Sequence, residues 1–192
     1  MERSTDSERR VEVYGRTARA LHWGTVILLA LQLPVGFYMT YRGGTLNLWD
    51  SLTNTLYSAH KLAGVLILLL VVWRLAHRLL RGAPADDPTL PGWQRRVAHL
   101  THWSLYLLLV AVPVAGYIGI SRFPALEVFG LFTLPSVAAP NPEAAATAFL
   151  VHAWLAWALL MLMTMHVAAA LQHHFIRRDD VLGRMLPSAL RR

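Results

Sequence analysis

Apolar positions along the chain gather into four long runs, residues 20–41, 59–80, 97–120 and 148–172. Each is near or above the roughly 20 helical residues that cross a bilayer, so the pattern predicts four transmembrane helices. The first run is too long for the apolar region of a cleavable signal and has no small-x-small site before Pro34 and Gly36, so it is expected to persist in the mature protein. Residues 82–92 read Gly-Ala-Pro-Ala-Asp-Asp-Pro-Thr-Leu-Pro-Gly, which cannot be helical throughout and separates two helical hairpins. Residues 1–13 are polar and expected to form a disordered tail, and residues 173–192 a second tail. The segment 121–147 is a longer loop whose apolar stretch, 128–134, lies between Pro124 and Pro135 and is expected to rest at the interface over the bundle mouth. The expected fold class is therefore all-α: a four-helix transmembrane bundle in up-down-up-down order, with residues 1–192 as one domain.

Composition supports this picture. Hydrophobic residues make up 55% and charged residues 15% of the 192, where soluble domains carry about 25% charged residues. The net charge of +7 is unevenly placed. Fifteen of the eighteen Lys and Arg fall in the N-terminal tail, the connection after the second span or the C-terminal tail, leaving Arg42, Lys61 and Arg122 on the other side. Basic residues mark the cytoplasmic side, so both termini are expected in the cytoplasm of a cell bounded by a bacterial inner membrane, and the basic charge reads as an orientation signal rather than a nucleic-acid interface. Zero Cys excludes disulfides, iron–sulfur clusters, thiolate zinc sites and covalent haem attachment, so a metal must rely on His, carboxylate or Met.

Polar groups at membrane depth mark function because hydrocarbon penalises them. None of the eleven carboxylates falls there, which argues against a carboxylate-based proton pump or cation transporter. Histidines do: His22 on the first span, His60 on the second, His99 and His102 on the third, His152 and His166 on the fourth. His152 and His166 are fourteen residues apart, which is nearly four full turns and about 21 Å of rise. They face the same way at opposite depths, too far apart for one zinc site, and no His-Glu-x-x-His occurs. Two haems, one near each membrane face, can use them. By depth His22 matches His166 at the cytoplasmic end and His60 matches His152 at the outer end, with His99 and His102 as rivals to His22. Gly36, fourteen residues after His22, and Gly64, one turn after His60, can admit a flat macrocycle or simply pack helices.

The runs Tyr14-Gly15-Arg16-x-x-Arg19-Ala20-Leu21-His22-Trp23, Gly36-Phe37-Tyr38-Met39, His60-Lys61-x-x-Gly64-Val65, Val72-Trp73-Arg74-Leu75, His99-x-x-His102-Trp103, Pro113-x-x-Gly116-Tyr117 and His152 followed by His166-x-Ala168-Ala169-Ala170-Leu171-x-His173-His174-Phe175 resemble the bacterial cytochrome b561 family. The resemblance spans residues 14 to about 187. It implies two noncovalent b haems ligated by the pairs His22/His166 and His60/His152, and supporting roles for His99 and His102. Haem propionates would call for Arg19, Arg74 and Arg78 inside and Lys61 and Arg122 outside, Arg74 being fourteen residues beyond His60. The resemblance further implies transmembrane electron transfer coupled to the quinone pool, with ubiquinone as bound quinone or substrate. One branch oxidises superoxide at the outer face, and Arg42, Lys61 and Arg122 are the cations there that can steer such an anion. His173 and His174 can bind or protonate a quinone, or form an interfacial pair. The alternatives are a haem-bearing anchor or electron conduit for a periplasmic dehydrogenase or reductase and, more remotely, a transporter or structural membrane protein whose histidines only pack.

Overall fold

The computed structural model describes residues 13–86 and 90–186. The remainder of the expected N-terminal tail, part of the 82–92 connection and the end of the C-terminal tail lie outside the described residues.

Four helices dominate: α1 (Arg16–Thr40), α2 (Ser51–Arg81), α3 (Gly92–Arg122) and α4 (Pro142–Gln172). All four are long and apolar enough to cross a membrane. They overrun the apolar runs because local chemistry extends and stops them. α1 passes into a wider π-turn at Tyr41–Thr45 and α4 into another at His173–Arg177, where Arg178 adopts a left-handed conformation that ends the coil. Asp50 caps α2 by accepting from the Thr53 N–H, and Gly82, at φ 74°, closes it. Asn141 caps α4, with Pro142 opening the first turn. Pro34 and Pro113 sit inside α1 and α3, as transmembrane helices tolerate when neighbours satisfy the freed carbonyls.

The helices run up-down-up-down. α1 packs on α2 and α3 on α4, and the two hairpins meet chiefly through α2 and α3. A buried cluster ties them together at mid-depth: Leu29 on α1, Ile67 and Val71 on α2, Tyr106 and Leu109 on α3, Leu159 on α4. With lipid outside as apolar as the core, van der Waals packing rather than water exclusion joins such helices.

The apolar stretch 128–134 folds more definitely than an interfacial segment. It forms an antiparallel hairpin, β1 (Glu127–Val128) against β2 (Phe132–Thr133), whose turn places Phe129 and Gly130 at positive φ with Leu131 N–H bonded to the Val128 carbonyl. Val128 is fully buried, and Phe129 N–H donates to Ser58 Oγ, so the hairpin is docked on the start of α2. At the other end of the bundle the chain after α4 folds back across α1. Tyr14 N–H donates to the Arg184 carbonyl, Arg19 to that of Leu186 and Trp23 Nε1 to that of Met185, while Arg184 reaches the Ala85 carbonyl. The β1–β2 hairpin thus marks one end of the bundle, the hairpin end, and the returning chain the other, the terminal end.

Candidate haem sites

A single spacing organises the polar interior. Fourteen residues separate His22 from Gly36 on α1, His60 from Arg74 on α2, His102 from Gly116 on α3 and His152 from His166 on α4. Because fourteen residues bring a helix back to nearly the same face, each helix presents one such position at each end. The hairpin end receives Gly36, His60, Gly116 and His152, and the terminal end His22, Arg74, His102 and His166. Midway, seven residues beyond His22, His60, His102 and His152, stand Leu29, Ile67, Leu109 and Leu159, all in the buried cluster. Two polar layers are thus divided by one apolar layer.

At the hairpin end the two helical hairpins part around a cavity of about 1160 Å³ lined by all four helices. His60 and His152 face each other there with ring centres 6.1 Å apart and planes nearly perpendicular. A metal–imidazole bond is about 2 Å long, so two imidazoles on opposite sides of one metal have centres about 6 Å apart. Gly36 and Gly116 clear the space: a Cβ at Gly36 would lie 2.9 Å from His60 Cε1, and one at Gly116 2.9 Å from His152 Nδ1. His152 Nδ1 lies 2.9 Å from the Val112 carbonyl and must be its donor, so that in the neutral ring the lone pair is on Nε2. His60 Nδ1 is buried with no partner among the described residues, and Gln32 fixes the backbone beneath by donating to the His60 carbonyl. Gly64 lines the same cavity, but a Cβ there would meet Gln32 Nε2 at an ordinary 3.5 Å. A flat macrocycle with two axial imidazoles fits this donor set and this space.

At the terminal end His102 and His166 are in ring contact, with centres 5.4 Å apart. His22, fourteen residues before Gly36 on α1, stands at the same level, and its Nδ1 is buried without a partner among the described residues. The Arg74 guanidinium sits over the Tyr106 ring and that of Arg78 over Trp103. With His77 these arginines line a small pocket closed by Met185 of the returning chain. His99 is placed differently: it pairs with Asp86 at 3.0 Å on the exposed rim.

Of the three cations at the hairpin end, Lys61 lines the cavity, whereas Arg42 and Arg122 are engaged elsewhere. Lys61 Nζ donates to the Ala125 carbonyl at 3.0 Å and to that of Glu127, which holds the hairpin against α2. Arg42 is bonded to Asp50 at 2.5 Å and to Thr53 Oγ1, and Arg122 reaches the Ala139 carbonyl. Asp50 is held down to about 2 by the Thr53 backbone N–H and then by Arg42. His173 Nδ1 lies 2.6 Å from Asp179, and His174 rests edge-on against Phe175. The interior residues to which the sequence assigned no role are Gly116, quoted there only within a motif, the Val112 carbonyl, Gln32 and His77. Gly116 carried a signal, its fourteen-residue offset from His102.

Comparison with known proteins agrees with this architecture. The model of the family described as prokaryotic cytochrome b561 matches residues 13–188. The chain is 35% identical to cytochrome b561 homolog 2 of Escherichia coli strain K12, across 91% of this chain and 92% of that protein. It is 29% identical to cytochrome b561 homolog 1 of the same strain, across 91% and 97%. It is also 33% identical to the probable superoxide oxidase CybB of Yersinia pestis, across 67% and 73%. With four membrane-spanning helices and a family match over nearly its whole length, the chain belongs to the prokaryotic cytochrome b561 family, multi-pass membrane proteins of electron transport whose membership implies b-type haem.

Proposed function

We propose that this protein moves electrons across the bacterial inner membrane through two b haems, most specifically from superoxide at the outer face to ubiquinone. The observation that carries the reading is the matched pair of polar layers, with His60 facing His152 across the cavity and His22 and His166 in the other layer. Haem held by these histidines would supply one-electron chemistry when bound. The chain supplies the rest. His152 is oriented by the Val112 carbonyl, Gly36 and Gly116 leave room for a ring, and the leucine and isoleucine layer keeps water from the path between the ends. Arg74 and Arg78 offer cations to propionates at the terminal end, where Arg19 also stands.

The basic side of the chain is read as cytoplasmic, so the hairpin end faces the periplasm. Lys61 is the cation on the cavity wall there, and it supports the superoxide reading together with the likeness to the Yersinia protein. Arg42 is neutralised there by Asp50, while Arg122, whose guanidinium is bonded only to the Ala139 carbonyl among the described residues, adds positive charge at a distance. The overall reaction balances when two superoxide anions each lose an electron to give dioxygen and one quinone takes up two electrons and two protons to give quinol. His173 and His174 sit at the terminal end and are proposed as the quinone contacts, His173 being oriented by Asp179.

The test is a reduced-minus-oxidised optical spectrum of the purified protein with haem counted per chain, followed by superoxide and then quinone. Two b haems reduced by superoxide and reoxidised by ubiquinone support the proposal. Reduction only by quinol or by a periplasmic redox protein would make the chain an electron conduit, and absence of haem would discard the account.

A further inference from the structure

We infer that His102 is a reserve axial ligand of the terminal-end haem, able to replace His22 opposite His166; the inference rests on the proposal that a haem is held in that layer. The two polar layers are built alike except on α3. At the hairpin end the α3 position is Gly116, and its missing side chain is what leaves room for His152. At the terminal end the equivalent position is His102, whose ring meets that of His166, and His22 holds the same level on α1 by its fourteen-residue offset from Gly36, so the layer holds three imidazoles where an iron takes two. The third is not turned away. His102 is half-buried and its ring meets that of His166. Their centres, 5.4 Å apart, lie within about an ångström of the spacing two imidazoles need on opposite sides of one metal. His99, one turn earlier on the same helix, is engaged by Asp86 at the rim and cannot serve in this way.

The experiment counts b haem per chain and reads its spin state by electron paramagnetic resonance in His22→Ala, His102→Ala, His166→Ala and the His22→Ala/His102→Ala double variant. His102→Ala is expected to keep two six-coordinate low-spin haems. His22→Ala is expected to keep two as well, the second with an altered low-spin signal, and the double variant to keep one. The hairpin-end haem, retained throughout, reports a folded bundle, and added imidazole is expected to restore the second haem in the double variant. A His22→Ala protein that matches the double variant, with one haem or a five-coordinate high-spin second haem, would overturn the inference while leaving the two-haem reading intact. Two unaltered haems in His166→Ala would overturn the inference together with the assignment of His166 as a ligand, and fewer than two haems in the wild type would overturn the two-haem reading.

Discussion

The Nδ1–H of His152 donates to the backbone carbonyl of Val112 on the neighbouring helix, 2.9 Å away, and the contact exists because Gly116 leaves the approach open. A methyl group at Gly116 would lie 2.9 Å from that nitrogen, too close for the ring to stay in place. Gly116→Ala is therefore expected to lower the haem content per chain relative to wild type, or to shift the potential of the haem bound at that end. Gly36→Ala, whose Cβ would lie as near to His60, should act similarly, whereas Gly64→Ala, meeting Gln32 at an ordinary distance, should leave haem content as in wild type. Haem quantification with a redox titration checks all three.

Lys61 joins two roles, a positive charge on the cavity wall and a clamp on the hairpin backbone. Electrostatic steering raises association rates by about tenfold or more and fades as salt screens it. Superoxide-driven quinone reduction in the wild type is expected to fall with ionic strength, and Lys61→Glu to lower the rate at low salt and flatten that dependence. Lys61→Arg keeps the charge and should retain most of the rate. A salt profile in Lys61→Glu that matches the wild type would remove Lys61 from the path.

The Asp50 carboxylate accepts from the Thr53 backbone and pairs with Arg42, which lowers it from 3.8 to about 2. A carboxyl depressed in the folded state stabilises above its ordinary value and ceases to do so as pH falls through the folded one. The melting temperature of Asp50→Asn should therefore lie below that of wild type near neutral pH. The difference should shrink as pH is lowered from about 4 to about 2.

At the terminal end the Trp23 indole N–H donates to the Met185 carbonyl, a bond worth about 1 kcal/mol. Trp23→Phe keeps the ring and deletes the donor. Amide hydrogen exchange in residues 180–186 is expected to quicken several-fold, with haem content unchanged; equal protection would show that the other bonds to Tyr14 and Arg19 hold the segment unaided.

Particular residues show how far reading the chain can go. Gly82 and Gly92 were legible as the bounds of a connection, and α2 ends at Arg81 while α3 begins at Gly92, because Pro and Gly interrupt a helix through their own backbone chemistry. The hairpin at 127–133 was not legible, since its apolar residues resemble an interfacial stretch until Ser58 and Lys61 of another helix bind its backbone. Arg42 is similar. Its charge is plain in the chain, but its engagement by Asp50 and Thr53 depends on how the π-turn at Tyr41–Thr45 folds towards the start of α2.

What the sequence by itself determined is axial. Helix rise is constant, so the length of each apolar run sets a span, and a spacing of fourteen residues sets two depths whatever the surroundings. The four spans, the lopsided basic charge and the presence of histidines at both depths all follow from that local geometry. What only the tertiary structure decided is azimuthal: which side of each helix faces its neighbours. These helices are apolar nearly all round and carry no polar stripe to orient them, so their rotation is set by close packing between helices rather than by any pattern within one. That rotation puts Gly116 against His152, brings His102 rather than His99 to His166, and leaves the cavity between His60 and His152.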